Sequence, residues 1–390
     1  MKIGFVVQRY GIDINGGAEL HSRLIAEHLV QTHDVEIFTT CAYDYVTWKN
    51  YYAAGTTRVN GVLVHRFLVK RKRSMRRFID VQDHVFYQDA DVALEQEWVI
   101  ENGPYCPKLI SEIRKRKDIE CWIMFSYRYW TTFQALQIFP SKTILVPTAE
   151  HDRAIHLKVF KQFFNLPAAI AYNSLEERKL INDLSGNTNV YGEIVGVGLV
   201  HDSELEISKE NSWDLNDLKP YFIYIGRIDK NKGCNHLFRY FKRFCKENPS
   251  SAKLCLIGST VLEIPDHSHF VHLGFVSEAE KIKALENSTA LIMPSPYESL
   301  SMVLLESWRS KIPVIVNAKC EVLFGQIMRS NGGLYYSNYE EFNFALKFLL
   351  NRKDIADKLG EKGYEYYVRN YDWPIIMKKY ETLIRHIRDH

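Results

Sequence analysis

The sequence predicts an α/β protein of two consecutive doubly wound domains, each built on a parallel sheet. Three observations lead there. The 390 residues exceed what one core usually holds, about 250–300 residues. Short apolar runs bounded by glycine or polar residues recur along the chain, as buried parallel strands do, and helical periodicity follows most of them. The pattern restarts at Tyr221 after a polar, acidic stretch over His201–Pro220, where the hinge is expected. Two such domains imply a cleft between the C-terminal edges of their strands, where α/β ligand sites gather.

In the first half, Ile3–Val7 is a strand and Gln8–Asn15 a loop. Gly16-Gly17-Ala18-Glu19 then opens a helix over Ala18–Gln31, with Val35–Thr39 as the next strand. Glycines at a helix head let a ligand approach the backbone, and the helix start favours phosphate. The run lacks G-x-G-x-x-G spacing, so it carries no firm dinucleotide signature; a tight turn explains Gly16 and Gly17 equally well. After Thr40, Asp44, Tyr45, Trp48 and Asn50 mix aromatic faces with hydrogen-bonding groups, as carbohydrate sites do, although a packed aromatic loop reads the same way. Gly61–Val69 is a strand near an edge. Lys70–Arg77 then places six cations in eight residues. Such a cluster with apolar neighbours docks on anionic lipid or meets an anionic acceptor. It is equally a solvated loop balanced by the acidic stretch Asp80–Glu101. Cys121–Phe125 and Thr143–Val146 are further strands, and His151 and Asp152 follow the second of them on a rim loop. Ala168–Tyr172 is a strand, Ser174-Leu-Glu-Glu177 a capping-box helix start, and Val190–Val197 closes the domain.

In the second half, Tyr221–Ile228 opens a strand that ends in Gly226-Arg227, followed by Asp229-Lys-Asn-Lys-Gly233 and a helix to about Lys246. A glycine for close approach beside Arg227 and Lys232 suits phosphate, which Arg grips as a fork and Lys as a point charge. Lys253–Ile257 ends in Gly258, and a strand within His269–Val276 ends near Phe275. Ser277 caps a helix over Ala279–Asn287. Ala290–Pro294 and Pro313–Val316 are strands, and a helix is expected between them over Ser299–Ser310. Glu298 then sits in the strand-to-helix loop, with Glu306 about two turns inside. The free amides of Ser299, Leu300 and Ser301 lie between them as a natural anion site. A diphosphate there has room for a sugar near Glu298 and a ribose near Glu306. Trp373–Arg388 has packing residues at helical spacing.

Composition narrows the function class. The net charge of +3 gives no global case for nucleic acid, and 46% hydrophobic content is globular. The seven cysteines form no C-x-x-C pair and read as reduced, buried thiols of a cytosolic protein. No signal peptide is apparent, and no apolar run nears membrane-spanning length.

Gly-Gly-Ala-Glu at 16–19, Gly-Arg-Ile-Asp-Lys-Asn-Lys-Gly at 226–233 and the Glu298/Glu306 pair occur in the order of the retaining glycosyltransferases of family 4, which the chain resembles over nearly its whole length. The commoner Glu-Gly-Phe-Gly of that family is replaced here by Glu298-Ser-Leu-Ser301. The resemblance implies a GT-B fold: an acceptor-side domain over 1–200, a donor domain over 201–372, and a terminal helix, 373–390, crossing back to the first domain. It implies that Arg227 and Lys232 neutralise the donor diphosphate, that Glu306 takes the ribose hydroxyls and that Glu298 takes hydroxyls of the transferred sugar. His151 lies by that sugar, Gly17 brings backbone near the diphosphate, the base sits against the loops after Gly258 and around Phe275, and Gly16 and Gly226 count among the donor-binding residues. The expected reaction is metal-independent, retaining transfer from a UDP- or GDP-sugar to a glycan or lipid-linked acceptor in surface polysaccharide synthesis. It needs no cofactor and no nucleic acid, and its expected place is the cytoplasm or the inner membrane face. Two alternatives stay open at this point: another GT-B enzyme such as a nucleotide-sugar epimerase, and a non-catalytic nucleotide-sugar binder.

Overall fold

The computed structural model describes residues 1–14, 16–200, 215–248 and 252–390; most of the expected hinge, 201–214, lies outside them. Two compact units result, one of residues 1–198 with 373–390 and one of residues 199–372.

The first unit carries strands β1 (Lys2–Val6), β2 (Asp34–Thr40), β3 (Gly55–Val59), β4 (Val62–Phe67), β5 (Cys121–Phe125), β6 (Thr143–Val146), β7 (Ala169–Tyr172) and β8 (Tyr191–Ile194) in the order β3-β4-β2-β1-β5-β6-β7-β8. Every pairing is parallel except β3 with β4. The strand expected over Gly61–Val69 is thus shorter and second from the edge. The edge strand itself is exposed and polar along Gly-Thr-Thr-Arg-Val, so it lacks the apolar run that marks a buried strand. The helices are α1 (Gly17–Leu29), α2 (Met75–Tyr87), α3 (Val92–Asn102), α4 (Pro107–Ile113), α5 (Trp130–Leu136), α6 (Lys158–Phe163) and α7 (Leu175–Ser185).

The second unit is a wholly parallel sheet of β9 (Tyr221–Ile225), β10 (Lys253–Ile257), β11 (Phe270–Gly274), β12 (Ala290–Met293), β13 (Val314–Asn317) and β14 (Gly333–Tyr336), ordered β11-β10-β9-β12-β13-β14. Around it run α8 (Cys234–Glu247), α9 (Glu278–Glu286), α10 (Met302–Arg309), α11 (Glu321–Ser330), α12 (Tyr339–Asn351) and α13 (Lys353–Tyr371). Trp308 fixes α10: its indole is fully buried and donates to Gly332 O at 2.9 Å. A Cβ on Gly363 of α13 would lie 2.1 Å from that ring, so glycine there is a packing requirement.

The terminal helix α14 (Trp373–Asp389) belongs to the first unit. It buries Ile376, Tyr380, Leu383 and Ile384, and Trp373 stacks on His28 of α1 with centroids 3.4 Å apart. A Cβ on Gly198 would strike the same indole at 2.5 Å. These residues face inward at helical spacing, which is why the segment docks rather than standing free.

At the N-terminal end of the first sheet, one carboxylate gathers four elements. Glu36 of β2 is paired with Lys2 Nζ at 2.9 Å, His65 Nε2 at 2.8 Å and Arg116 Nη1 at 2.5 Å. Burial works to raise its pKa, but Arg116, Lys2 and His65 outweigh it and hold the carboxyl down to about 2, below its ordinary 4.5. A depressed carboxyl stabilises the fold fully above its unfolded pKa and loses that contribution as pH falls through the folded one. Glu36→Gln is therefore expected to cost roughly 2–3 kcal/mol at neutral pH. Against the variant, the wild type should lose its advantage between pH 4.5 and about 2, as measured by denaturant unfolding across that range.

Candidate active site

The chemistry-bearing residues of the second unit sit on loops at the C-terminal ends of β9, β10 and β12, the edge where open α/β sheets bind ligands. Asp229 organises the first loop. Its carboxylate pairs with Arg227 Nε and accepts Lys232 N–H at 2.8 Å, while its carbonyl accepts Cys234 N–H at 3.2 Å. The Tyr224 hydroxyl donates to Arg227 O at 2.8 Å from below. Gly233 turns the chain at φ +78°, and a Cβ there would lie 2.2 Å from Pro294 O. The β9–α8 loop can therefore lie directly on the β12–α10 loop. That approach sets Lys232 Nζ 2.7 Å from Glu298 Oε1, with Glu298 only 11% exposed and Lys232 34%. Gly226, at φ +142°, and Gly258, at φ +130°, meet in the same way: a Cβ on Gly258 would lie 2.2 Å from Gly226 O. Phe275, just past β11, is largely exposed. The structure thus brings Arg227, Lys232 and Glu298 onto one rim. It adds Asp229, which sequence reasoning missed; the signal was present in its place between the two cations.

The helix carrying Glu306 corrects the expectation. Instead of spanning Ser299–Ser310, α10 begins at Met302, with Ser301 as its N-cap at φ +77°. The Ser301 hydroxyl accepts Leu304 N–H at 3.3 Å, and the Leu300 side chain is buried. Ser299, Leu300 and Ser301 are therefore loop residues and not the free amides of a first turn. The apolar spacing of Leu300, Val303 and Leu304 runs past the cap, because Leu300 packs inward from the loop. Glu306 then lies about one turn inside the helix rather than two. Its residue is 8% exposed. Oε1 is held by Lys281 Nζ of α9 at 3.0 Å, whereas Oε2 is buried with no hydrogen-bond partner. Burial works against the Lys281 ammonium, but Glu306 and Glu278 outweigh it and keep its pKa above the usual lysine value. A buried acceptor left open costs about 1–3 kcal/mol and calls for an explanation.

In the first unit, His151 lies exposed on the loop after β6, its ring 5.3 Å from that of His156. Asp152 pairs with Arg128 and accepts Ala154 N–H at 3.1 Å, so it shapes the loop. Ser174 caps α7 as expected, but the Glu177 carboxylate accepts Asn173 N–H and Ala149 N–H instead of closing a capping box. Gly16 is the N-cap of α1; a Cβ on it would lie 2.0 Å from Glu19 Oε2, while one on Gly17 would meet nothing. The reason is a buried pair that the sequence did not disclose, Arg9 Nη2 to Glu19 Oε1 at 2.6 Å.

Two of the expected acceptor-side residues serve the loop itself. Trp48 is 1% exposed and donates to Asn102 O at 2.7 Å. Asp44 accepts Val46 N–H, Thr47 N–H, the Thr47 hydroxyl and Lys49 N–H. Tyr45 remains exposed. The basic cluster is partly internal too. Arg73 donates to Tyr45 O and Asn102 and lies over the Trp48 and Phe78 rings, and burial pulls its pKa down to about 10. Arg71 and Arg77 pair with Glu101, and Arg77 also with Glu97. Half of the six cations are thus balanced by Glu97, Glu101 and Asn102, and the run does not present the continuous charge that lipid docking was expected to use.

All seven cysteines are free, and burial raises the pKa of each, that of Cys320 to about 12. They are packing thiols and not nucleophiles. Among the described residues, no three His, Cys, Asp or Glu side chains group as metal ligands, and no helix is long and apolar enough to cross a membrane.

Residues 206–366 match the family model of the glycosyl transferases group 1. The chain is 22% identical over 415 residues to an uncharacterized glycosyltransferase of Methanocaldococcus jannaschii, covering 97% of this chain and 94% of that one. It is 24% identical over 180 residues to an uncharacterized protein in the cps region of Klebsiella pneumoniae, covering 45% of this chain and 49% of that one. Among solved structures it is similar to Anabaena HepE in complex with UDP-glucose, with a TM-score of 0.65 at 14% identity over 98% of this chain and 99% of that one. Two parallel-sheet units, a terminal helix belonging to the first, and the likeness to HepE over nearly the whole chain show the GT-B fold, and residues 206–366 within the second unit carry the match to the group 1 glycosyl transferases.

Proposed function

We propose that the chain transfers a hexose from a UDP- or GDP-sugar to a glycan or lipid-linked acceptor, with retention at the anomeric carbon and without a metal ion, in surface polysaccharide synthesis. The observation that carries the donor assignment is the rim on which Arg227, Lys232 and Glu298 meet. Lys281 holds Glu306 Oε1, and the buried Oε2, which lacks a partner, is the oxygen that a small turn of the side chain offers to ribose hydroxyls. UDP-glucose in the HepE complex supports a uridine donor, and the cps-region relative supports the polysaccharide setting. Lys70, Lys72 and Arg76, exposed like Arg71 and Arg77 but outside the pairs with Glu97 and Glu101, are what remains to meet an anionic membrane face.

On this reading Arg227 and Lys232 neutralise the diphosphate. Lys232 is held by Glu298 when no anion is present; with the diphosphate bound, it bridges phosphate and carboxylate. Glu298 then accepts from hydroxyls of the donor sugar. The bond between the anomeric carbon and the diphosphate oxygen breaks, and the electron pair leaves with the diphosphate. The acceptor oxygen bonds to the anomeric carbon on the same face, and its proton passes to the departing phosphate oxygen. Fixed cations at the point where charge develops supply most of the rate. His151 adds a hydrogen-bonding ring on the first unit's rim, and Gly17, with open space where a Cβ would stand, admits the ligand close to the backbone, while Gly16, Gly226 and Gly258 let the surrounding loops pack.

Three outcomes test this. Arg227→Ala and Glu298→Ala should each lower acceptor-dependent UDP release by about 10²–10³ with unchanged circular dichroism; full activity in both purified variants would remove the site. Nucleotide release that needs an added glycan separates transfer from epimerisation, and donor binding with no release separates it from a simple binder. Glu306→Ala should weaken UDP by roughly 1–3 kcal/mol in calorimetry yet leave 2′,3′-dideoxy-UDP unaffected. Equal losses for both nucleotides would place the ribose elsewhere.

A further inference from the structure

The loop after β2 exposes large aromatic rings on a scaffold rigid enough to hold them. Tyr51 is 71% exposed, Tyr43 42% and Tyr45 40%. The Tyr43 and Tyr51 rings meet at 5.0 Å with a 47° tilt, forming a corner rather than a flat stack. Beneath them the backbone is tied down. Tyr51 N–H and Tyr52 N–H both donate to Cys41 O at 2.7 and 3.0 Å, Ala42 bridges Asn50, and Asp44 accepts four bonds from the turn it closes. The buried Arg9 donates to Tyr43 O at 2.7 Å, and its guanidinium lies 5.5 Å from the Tyr45 ring. The Tyr43 hydroxyl reaches Asp13 O of the loop after β1 at 3.4 Å. The patch therefore sits at the C-terminal rim of β1 and β2, where ligand sites of this architecture form.

Exposed rings in a cluster mark a binding surface, and tyrosine offers an apolar face with a polar tip. The charge around the rings decides what binds. Arg9 is already paired with Glu19 and is 8% exposed, and the two exposed charges nearby, Asp13 and Lys49, are of opposite sign. Nothing here favours a phosphate or carboxylate. A pyranose ring presents C–H faces to aromatic rings and hydroxyls to phenols and backbone, and it needs no charge. We propose that Tyr43, Tyr45 and Tyr51 form a platform for an uncharged sugar unit of the acceptor, which makes the acceptor a neutral glycan end and not a bare phosphate or a lipid tail. This rests on the transferase reading for the role of the sugar, though the binding itself can be measured without turnover.

The experiment is saturation-transfer NMR on the full chain with maltose, cellobiose and lactose, and with glucose 6-phosphate as the anionic comparator. UDP binding is followed in parallel by thermal shift. At least one neutral disaccharide should receive saturation at its ring C–H protons, and glucose 6-phosphate should receive no more. Tyr51→Ala and Tyr45→Ala should each reduce the signal at least fivefold, Tyr51→Phe should retain it, and the UDP shift should stay at its wild-type value in all three. The absence of signal from every neutral sugar, a stronger signal from glucose 6-phosphate, or a signal that survives both alanine variants would overturn the proposal. Sugar binding without any UDP shift would instead sink the donor reading while leaving the platform in place.

Discussion

The contact on which the candidate site depends is the pair between Lys232 and Glu298. Neither residue is near the other in sequence. They meet because Gly233 lets the β9–α8 loop rest on Pro294, and because Asp229 folds that loop back on its own amides. The pair is partly buried, so each charge lowers the desolvation cost of the other, and losing one partner leaves a charge poorly solvated. On the proposed reading this is also a resting state: the carboxylate holds the ammonium where a diphosphate will later need it. The same logic extends to Glu306, whose one oxygen is tied to Lys281 while the other stays open. Two carboxylates are thus each steadied by a lysine from another element.

Much of the fold was legible in the sequence because parallel strands are buried on both faces and read as apolar runs. Ile3–Val7, Cys121–Phe125, Tyr221–Ile225 and Ala290–Met293 all gave that signal. The polar edge strand Gly55–Val59 did not, since nothing covers its outer side. Helix ends were the weaker part. Leu300 has the spacing of a helix residue but packs from the loop, and the cap chemistry of Ser301 decides the boundary. The Ser301 cap, rather than periodicity, starts the helix at Met302 and leaves Ser299–Ser301 in the loop.

The candidate site was legible where residue type and place agreed: Arg227, Lys232 and Glu298 follow strand ends. Residues that act by holding others were invisible. Lys281 and the Arg9–Glu19 pair matter through contacts made by other elements, and a single sequence carries no mark of them; Asp229 was marked only by its place between the two cations. The reverse error occurred at Trp48 and Asp44. Both have the chemistry of a sugar site, yet the indole is spent on Asn102 and the carboxylate on its own turn. The Lys70–Arg77 run shows the same effect, because acids on α3 engage Arg71 and Arg77.

The central claim is that the rim built by Arg227, Lys232 and Glu298 receives a nucleoside diphosphate. A crystal structure of the chain with UDP tests it most directly. The account predicts diphosphate oxygens within hydrogen-bond distance of Lys232 Nζ and the Arg227 guanidinium, and a ribose hydroxyl on Glu306 Oε2. UDP bound elsewhere, with Lys232 still paired with Glu298 and Glu306 Oε2 still without a partner, would contradict it.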